Sequence, residues 1–324
     1  MERIKIGITQ GDINGIGYEL ILNTFETEEM TSICTPVIYG SPKVATYHRK
    51  TLGCETNFQV VESAEAAKDG HLNMINSFGE DELKIEIGQA TEEAGKAALI
   101  SLDKALKDLR DGKIDALVTS PLNNACIKLD NGTTFQGQTS YIEETLAERL
   151  VTLHNTLKRD FFIDNPRIAV LALNPHADGQ EEQEIIIPVI DELFKRGVRC
   201  VGPYPADEFF GTGNHKHFDA VLAMYYDQGV SAFKSLALNE GVNYTAGLSV
   251  LRTAPAIGVC YDIAGKNMVE DEQPFREAIY AAVDAVRNRS RFDQERTNPL
   301  QKQYVAKRDD SDKLKLDQVT EEDN

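Results

Sequence analysis

FDAVLAMYYDQG, residues 218–229, decides the predicted fold because its character changes from apolar to polar at one point. Residues 218–225 are almost continuously apolar, which is typical of a strand buried on both faces of a parallel sheet. The polar residues Tyr226, Asp227 and Gln228 follow directly. In open α/β sheets, ligands bind at the carboxyl ends of the strands. This stretch therefore predicts an α/β protein with a ligand site where the strand ends.

Strand-like and helix-like segments alternate along the rest of the chain. The predicted strands are 4–9, 35–40, 114–118 and 167–173, and the predicted helices are 18–25, one opening at Pro42, 91–111, 184–195 and 276–288. This alternation favours an α/β fold with largely parallel sheets. A chain of 324 residues is also more typical of two domains than of one.

The composition limits the classes of partner. The chain has 34 basic and 52 acidic residues, a net charge of −18. It has no basic footprint for nonspecific binding to nucleic acid or to an anionic membrane, although a few local cations would suffice for an anionic substrate. The five cysteines lack CxxC spacing, no apolar run reaches membrane length, and no signal peptide precedes the first strand. We therefore expect a soluble protein of the cytoplasm.

Three segments are candidates for chemistry, and each has a plainer interpretation. TQGDINGIGYEL, residues 9–20, lacks G-x-G-x-x-G spacing, so a structural turn is favoured over a phosphate loop. His176 follows a predicted strand, but a lone loop histidine is more often a turn residue than a metal ligand. Lys234, Asn243 and Arg252 together suit a phosphate or a carboxylate, yet three scattered polar residues are ordinarily just surface.

Nine short motifs, taken in order, carry a resemblance to a known family. They read GITQGDINGIGYEL, LVTSPLN, FQGQTSYIEE, ALNPHA, GPYPAD, FDAVLAMYYDQG, EGVNYTAGL, LRTAP and DIAGK. From about residue 4 to residue 288, the chain resembles the 4-hydroxythreonine-4-phosphate dehydrogenase family of pyridoxal phosphate biosynthesis. The resemblance implies two α/β/α domains similar to those of isocitrate and isopropylmalate dehydrogenases. It also implies a homodimer with the active site in the interdomain cleft.

The activity that the resemblance implies is an oxidation followed by a decarboxylation. NAD accepts a hydride from the secondary alcohol of 4-phosphohydroxy-L-threonine, and the resulting β-keto acid loses carbon dioxide. In the family a divalent metal, such as zinc, magnesium or cobalt, is bound by three histidines and polarises the hydroxyl. The implied domains are residues 1–118 with 255–292, and a dimer-forming middle domain of residues 119–254. Residues 293–324 are charged and poor in large apolar side chains, which predicts a flexible tail.

The site residues follow from the resemblance position by position. It implies substrate contacts at Gln138, Thr139, Lys234, Asn243 and Arg252, catalytic roles for Asp227 and Lys234, and a metal ligand at His176. Gln138, Tyr226 and Ile257 stand where the family has histidines, and the histidine that Tyr226 replaces is a metal ligand. The strand with the third metal histidine, which should follow the motif at residues 137–140, is among several dozen family residues that are missing. No residue is assigned to NAD.

Three hypotheses remain open from the sequence. The first is an active dehydrogenase of 4-phosphohydroxy-L-threonine or of a related four-carbon phosphosugar acid. The second is a relative that binds a phosphorylated ligand without the metal and without catalysis. The third is a folded chain that has no ligand. Binding of a divalent metal separates the first hypothesis from the second, and stabilisation by a phosphorylated ligand separates the second from the third.

Overall fold

The computed structural model describes residues 3–78, 83–123, 138–237, 240–267 and 272–297, with the backbone alone at 138–145 and 297. Its strands are β1 Lys5–Thr9, β2 Thr35–Gly40, β3 Gln59–Val61, β4 Asn73–Asn76, β5 Ala116–Thr119, β6 Ile168–Leu171, β7 Cys200–Tyr204, β8 Ala220–Leu222, β9 Val242–Tyr244 and β10 Arg252–Pro255. Its helices are α1 Gly17–Thr24, α2 Glu28–Ile33, α3 Pro42–Leu52, α4 Glu92–Arg110, α5 Gln138–Arg159, α6 Ile187–Lys195, α7 Ala206–Gly211, α8 Tyr226–Leu236 and α9 Gln273–Thr297.

Seven strands form the larger sheet, in the order β3-β4-β2-β1-β5-β10-β9. Every neighbouring pair is parallel except β9 and β10, which are antiparallel. Ile6 and Ile8 of the central strand β1 are fully buried in a core that also contains residues of α1, α4 and α9. Such strands are covered on both faces, which is why residues 4–9 and 35–40 read as continuous apolar runs. The predicted α/β class with largely parallel sheets is confirmed.

The smaller sheet has three parallel strands in the order β7-β6-β8. The central strand β6 is fully buried, whereas β8 is only half-buried along its length. The prediction of a buried strand over residues 218–225 was therefore wrong in extent, because the strand covers only Ala220–Leu222 and α8 starts at Tyr226. An edge strand has a neighbour on one side alone, so its apolar residues need not be enclosed.

Helix ends follow the capping signals in the sequence. Ser41 accepts a hydrogen bond from the Val44 amide at 3.5 Å, and Pro42 opens α3, as predicted. Thr91 caps α4 by accepting from the Ala94 amide at 3.2 Å. Gly112 follows α4 with a φ of 70°, a conformation that glycine adopts without a steric penalty. These local contacts explain why both helices begin where the residue types indicate.

Two observations bear on the predicted domain boundaries. Strands β9 and β10 pair in the larger sheet, although residues up to 254 were assigned to the middle domain. Helix α9 continues to Thr297 and thus includes residues 293–297, which were assigned to the tail. An ion pair between Arg159 Nη2 and Asp293 Oδ2, at 2.6 Å, joins this end of α9 to α5. Residues 298–324 lie outside the described residues. In the part of the chain that the structure describes, no helix is long and apolar enough to cross a membrane.

Candidate functional site

The carboxyl ends of β6 and β8 lie side by side, and each leads into a predicted site segment. Val170 pairs with Leu222, so the loop with His176 and the start of α8 leave the sheet at the same edge. Gln228 joins the two segments, because its Nε2 donates to the Ala172 carbonyl at 2.9 Å and its Oε1 accepts from the Met224 amide at 2.8 Å. The sequence shows Gln228 only as part of FDAVLAMYYDQG, and the fold reveals that its side chain links the two strand ends.

The loop that contains His176 is anchored by a buried glutamate that the sequence analysis did not identify. Glu182 Oε1 accepts from the Asn174 amide at 2.6 Å, and Oε2 accepts from Asn174 Nδ2 at 2.6 Å. Burial is the largest single influence on the Glu182 carboxyl and raises its pKa, but hydrogen bonds from Asn174, together with those from the backbone at Glu182 and Leu173, hold the pKa below its ordinary value. The ionised carboxylate therefore holds Asn174, and with it the start of the loop.

His176 and Tyr226 do not fit the three-histidine metal site that the resemblance implies. His176 is exposed, and the phenol of Tyr226 is 83% exposed. The described residues contain no group of three His, Cys, Asp or Glu side chains that could hold one metal ion, and they include all six histidines of the chain. A neutral phenol is also a poorer divalent ligand than an imidazole. Within the described ranges, this edge of the smaller sheet thus offers no three-ligand donor set for the metal.

Lys234, Asn243 and Arg252 lie on three elements around one part of the larger sheet. The sequence predicts a single loop-rich region for these residues. In the structure Lys234 is in α8, Asn243 in β9 and Arg252 in β10. The Lys234 ammonium donates to the carbonyl of Ala256, directly after β10. Asn243 pairs with Ala254, two residues from Arg252, so Asn243 and Arg252 project from the same face of the sheet. The fold therefore gathers all three residues beside β10.

Arg252 is the most informative of these residues, because it is a half-buried cation among neutral partners. Its Nε and Nη2 donate to Thr119 Oγ1 at 3.1 and 2.6 Å, and its Nη1 donates to Thr245 Oγ1 at 3.2 Å. Burial lowers the pKa of the guanidinium, although the group stays charged. No carboxylate of the described residues lies within 4.0 Å of it. A desolvated cation without a counter-ion is a favourable place for an anionic ligand.

The remaining predicted residues are less well defined by the geometry. Asp227 is exposed in the first turn of α8, and its Oδ1 accepts from the Gln228 amide at 3.1 Å. Seven positions separate it from Lys234, about 10 Å along the helix axis. Helix α8 therefore runs from the edge that contains His176 to the sheet that contains Arg252. The side chains of Gln138 and Thr139 lie outside the described residues, although α5 begins at Gln138.

The glycine-rich segment at residues 9–20 is a buried turn, as its spacing favoured. The Ile16 amide donates to the Val259 carbonyl at 3.1 Å, and the Tyr261 hydroxyl donates to Asp12 Oδ2 at 2.5 Å. A loop that includes Ile257, Val259 and Tyr261 thus covers the segment. Its amides are not open to a pyrophosphate, so no cofactor contact is assigned to it.

Comparison with known proteins identifies the family. The model of the family described as Pyridoxal phosphate biosynthetic protein PdxA matches residues 32–152 and 143–282. The chain belongs to this family. It is 49% identical to the 4-hydroxythreonine-4-phosphate dehydrogenase of Bacteroides thetaiotaomicron, over 99% of each chain. It is 32% identical to the D-threonate 4-phosphate dehydrogenase of Cupriavidus necator, over 88% of this chain and 98% of that protein.

A solved structure agrees with this PdxA family assignment. The crystal structure of a 4-hydroxythreonine-4-phosphate dehydrogenase from Burkholderia phymatum matches with a TM-score of 0.68 and 30% identity. The match covers 88% of this chain and 99% of that chain. Because these relatives are dehydrogenases, the PdxA family is one of oxidoreductases, as the motifs indicated.

The comparisons also agree with the predicted internal shortening. The alignment with the Bacteroides thetaiotaomicron protein spans 363 residues, 39 more than the 324 of this chain. The two segments matched by the PdxA family model overlap at residues 143–152, inside α5. Both findings agree with the prediction that family positions are missing near this helix, where the strand with the third metal histidine was expected. In this chain a continuous helix of 22 residues occupies the region.

Proposed function

We propose that this chain catalyses the NAD-dependent oxidation and decarboxylation of 4-phosphohydroxy-L-threonine. The half-buried guanidinium of Arg252 is the observation that carries the proposal, because it has hydroxyl partners and no carboxylate neighbour among the described residues. The names of the relatives give the substrate class, a phosphorylated hydroxy acid. A dianionic phosphate would supply the negative counter-charge that the described residues do not place beside Arg252.

Each retained residue has a role in this reaction. Arg252 and Asn243 hold the phosphate from one face of the larger sheet. The Lys234 ammonium lies beside the end of β10, next to Ala256, and is assigned to the reacting end of the substrate. Gln138 and Thr139 contact the rest of the substrate by resemblance. NAD supplies the hydride acceptor when it is bound. Asp227 accepts the proton that the substrate hydroxyl loses as the hydride leaves. Lys234 stabilises the negative charge that develops on the resulting carbonyl oxygen as carbon dioxide leaves.

The family metal is not used in this mechanism. His176 remains, but Tyr226 replaces a second ligand and the described residues offer no third donor. We therefore derive no step through a metal ion. This places a greater electrostatic demand on Lys234, because it is the cation assigned to the reacting end of the substrate.

The activity is tested by NADH formation from 4-phosphohydroxy-L-threonine, first with a chelator and then with zinc, magnesium or cobalt. D-threonate 4-phosphate, named for the Cupriavidus necator relative, is the matched alternative substrate. Arg252→Gln should raise the KM about 10- to 100-fold, the factor expected for one charged hydrogen bond. Arg167→Gln, a change to an exposed arginine paired with Asp219, is the control. An unchanged KM in Arg252→Gln would contradict the proposed phosphate contact.

A second candidate function is supported by the altered metal side of the site. Tyr226 and the missing family positions favour a relative that binds a phosphorylated ligand without turnover. In that case, 4-phosphohydroxy-L-threonine would raise the melting temperature of the wild type but would yield no NADH. Arg252→Gln would lose the thermal shift, whereas Arg167→Gln would keep it. A chain without any thermal shift would correspond to the third hypothesis, a fold without a ligand.

We also propose a homodimer in the cytoplasm, by resemblance to the family. The exposed surface of α8 supports this assembly, because none of its residues is buried in the single chain. Phe233 and Leu236 are 37% and 62% exposed, which is costly for apolar side chains that have no partner. Light scattering should report twice the monomer mass of 36.0 kDa.

A further inference from the structure

A buried ion pair lies where α5, α9 and β9 meet, outside the residues assigned to the reaction. Arg289 Nε donates to Asp160 Oδ1 at 2.6 Å, and Arg289 Nη2 donates to Asp160 Oδ2 at 2.9 Å. The Asp160 side chain is 2% exposed and that of Arg289 is 12% exposed. Two parallel hydrogen bonds between a guanidinium and a carboxylate fix orientation as well as distance. The pair therefore joins the end of α5 rigidly to α9.

Strand β9 is attached to this pair through Tyr244. The Tyr244 hydroxyl donates to Asp160 Oδ2 at 2.7 Å, and its ring meets the edge of Phe161 at 5.2 Å between centroids. Successive strand residues point to opposite faces, so the anchored Tyr244 directs Asn243 to the other face of the sheet. Strand β9 has three residues and pairs only with β10 in the described part of the chain. Such a short edge strand depends on side-chain anchors for its position.

The turn between β9 and β10 is held by the same arginine. Arg289 Nη1 donates to the Ser249 carbonyl at 2.9 Å, and Nη2 donates to the Leu248 carbonyl at 3.3 Å. This turn leads directly into Arg252, the first residue of β10. The network therefore holds the hairpin at Tyr244, before the turn, and at Leu248 and Ser249, within the turn.

We propose that Asp160, Arg289 and Tyr244 are positioning residues that set Asn243 against Arg252 for a phosphorylated ligand. The inference rests on the proposed function, because it needs Asn243 and Arg252 to hold the substrate. A buried ion pair need not stabilise a protein more than apolar residues of the same size, so stability alone is a weak reason for this network. Its geometry instead defines the orientation of the hairpin of β9 and β10, which contributes the proposed ligand contacts Asn243 and Arg252.

Equilibrium binding tests the proposal without requiring turnover. Tyr244→Phe removes only the hydroxyl and keeps the ring against Phe161, so the variant should fold. Titration calorimetry with 4-phosphohydroxy-L-threonine should give a Kd about five- to tenfold above that of the wild type. This is less than the effect expected for direct loss of a charged hydrogen bond to the ligand, because the hydroxyl acts through the position of Asn243. Tyr47→Phe, in α3, is the control and should bind as the wild type does. Asp160→Asn should weaken binding at least as much as Tyr244→Phe.

Melting temperatures measured without ligand separate positioning from stability. A lower melting temperature in Tyr244→Phe with an unchanged Kd would overturn the proposal, because the hydroxyl would then serve the fold alone. Arg252→Gln distinguishes failure of the proposed phosphate site from failure of the positioning role. If Arg252→Gln binds normally, the proposed phosphate site fails, and the positioning role fails with it. If Arg252→Gln binds weakly but Tyr244→Phe and Asp160→Asn do not, only the positioning role is wrong. Should Asp160→Asn fail to fold, Tyr244→Phe decides the question alone.

Discussion

His48 is the histidine that the fold removes most completely from water, with 1% of its surface exposed. Its Nε2 lies 2.8 Å from the Ile13 carbonyl, and its ring stacks on Tyr18 with 5.3 Å between centroids. Burial lowers the pKa of His48, and the hydrogen bond to Ile13 opposes this shift only in part. The folded protein therefore keeps a neutral imidazole at pH values where an unfolded chain protonates it, below about 6.5.

This shift has a predictable sign in the stability of the protein. Because the unfolded state binds the proton more readily, the contribution of His48 is present above about pH 6.5 and is lost as the pH falls below it. His48→Gln keeps an amide donor for Ile13 but cannot titrate. We expect the melting temperature of this variant to fall less than that of the wild type between pH 7 and pH 5.

The matched control for this experiment is His71→Gln, a substitution at an exposed histidine. Its melting temperature should follow the wild type across the same pH range. If His48→Gln lost as much stability on acidification as the wild type, the buried imidazole would not be a source of the pH dependence. Differential scanning calorimetry at several pH values provides the comparison.

The turn between β1 and α1 is an element whose geometry depends on glycine. Gly11 has a φ of 68°, and a Cβ at this position would lie 2.5 Å from the Pro121 carbonyl. Gly53, which ends α3, has a similar φ of 71° but nothing within 4 Å of its would-be Cβ. The two glycines therefore share the backbone requirement and differ in the space around them.

Alanine at these two positions separates backbone strain from crowding. Both variants should lose about 1 kcal/mol from the left-handed conformation. Gly11→Ala should lose about 1–3 kcal/mol more, since the backbone that follows β5 must move away. Urea denaturation measures the difference in the free energy of unfolding. Equal losses would mean that the turn relaxes freely and that the contact with Pro121 is unimportant.

Elements differ in how well their local sequence predicts them. The cap at Thr91 and the glycine after α4 are local signals, so both ends of this helix were predictable. Strand β8 was overestimated, because an apolar run does not reveal that the strand lies at the edge of a sheet with three members. The π-helical turn at residues 182–186, just before α6, also had no sequence signal, since it depends on how Glu182 packs on Asn174.

At the scale of the whole molecule, we expect the internal shortening to affect the residues proposed to bind a metal more than those proposed to bind phosphate. The two segments that match the family model overlap within α5, whereas Lys234, Asn243 and Arg252 all lie downstream of this helix. Asn243 and Arg252 lie on adjacent strands of the seven-stranded larger sheet. The smaller sheet retains three strands, with His176 and Asp227 at one edge and no complete donor set in the described residues.

We therefore expect weak metal binding by the intact chain. Titration calorimetry with zinc should detect no stoichiometric site of the affinity that three histidines provide. Tyr226→His restores one imidazole and should gain little, because two histidines leave the tetrahedral site incomplete. His71→Gln in the Tyr226→His background controls for surface binding.

Tight stoichiometric zinc binding by Tyr226→His would contradict this expectation. It would mean that a residue outside the expected strand supplies the third ligand. Robust, chelator-sensitive NADH formation by the same variant would lead to the same conclusion and would return the metal to the mechanism. Either result would leave the phosphate contact of Arg252 unaffected, because that contact has its own test.

The α/β class, most of the helices and strands and the family could be predicted from the sequence alone. These follow from periodicity, capping residues and ordered motifs, all of which are local patterns. Only the tertiary structure decided which partners Arg252 has and how Asn243 is oriented. It also brought together Asp160 and Arg289, which are 129 positions apart in the chain. Such contacts form where distant segments pack, and no local pattern records which segments will meet.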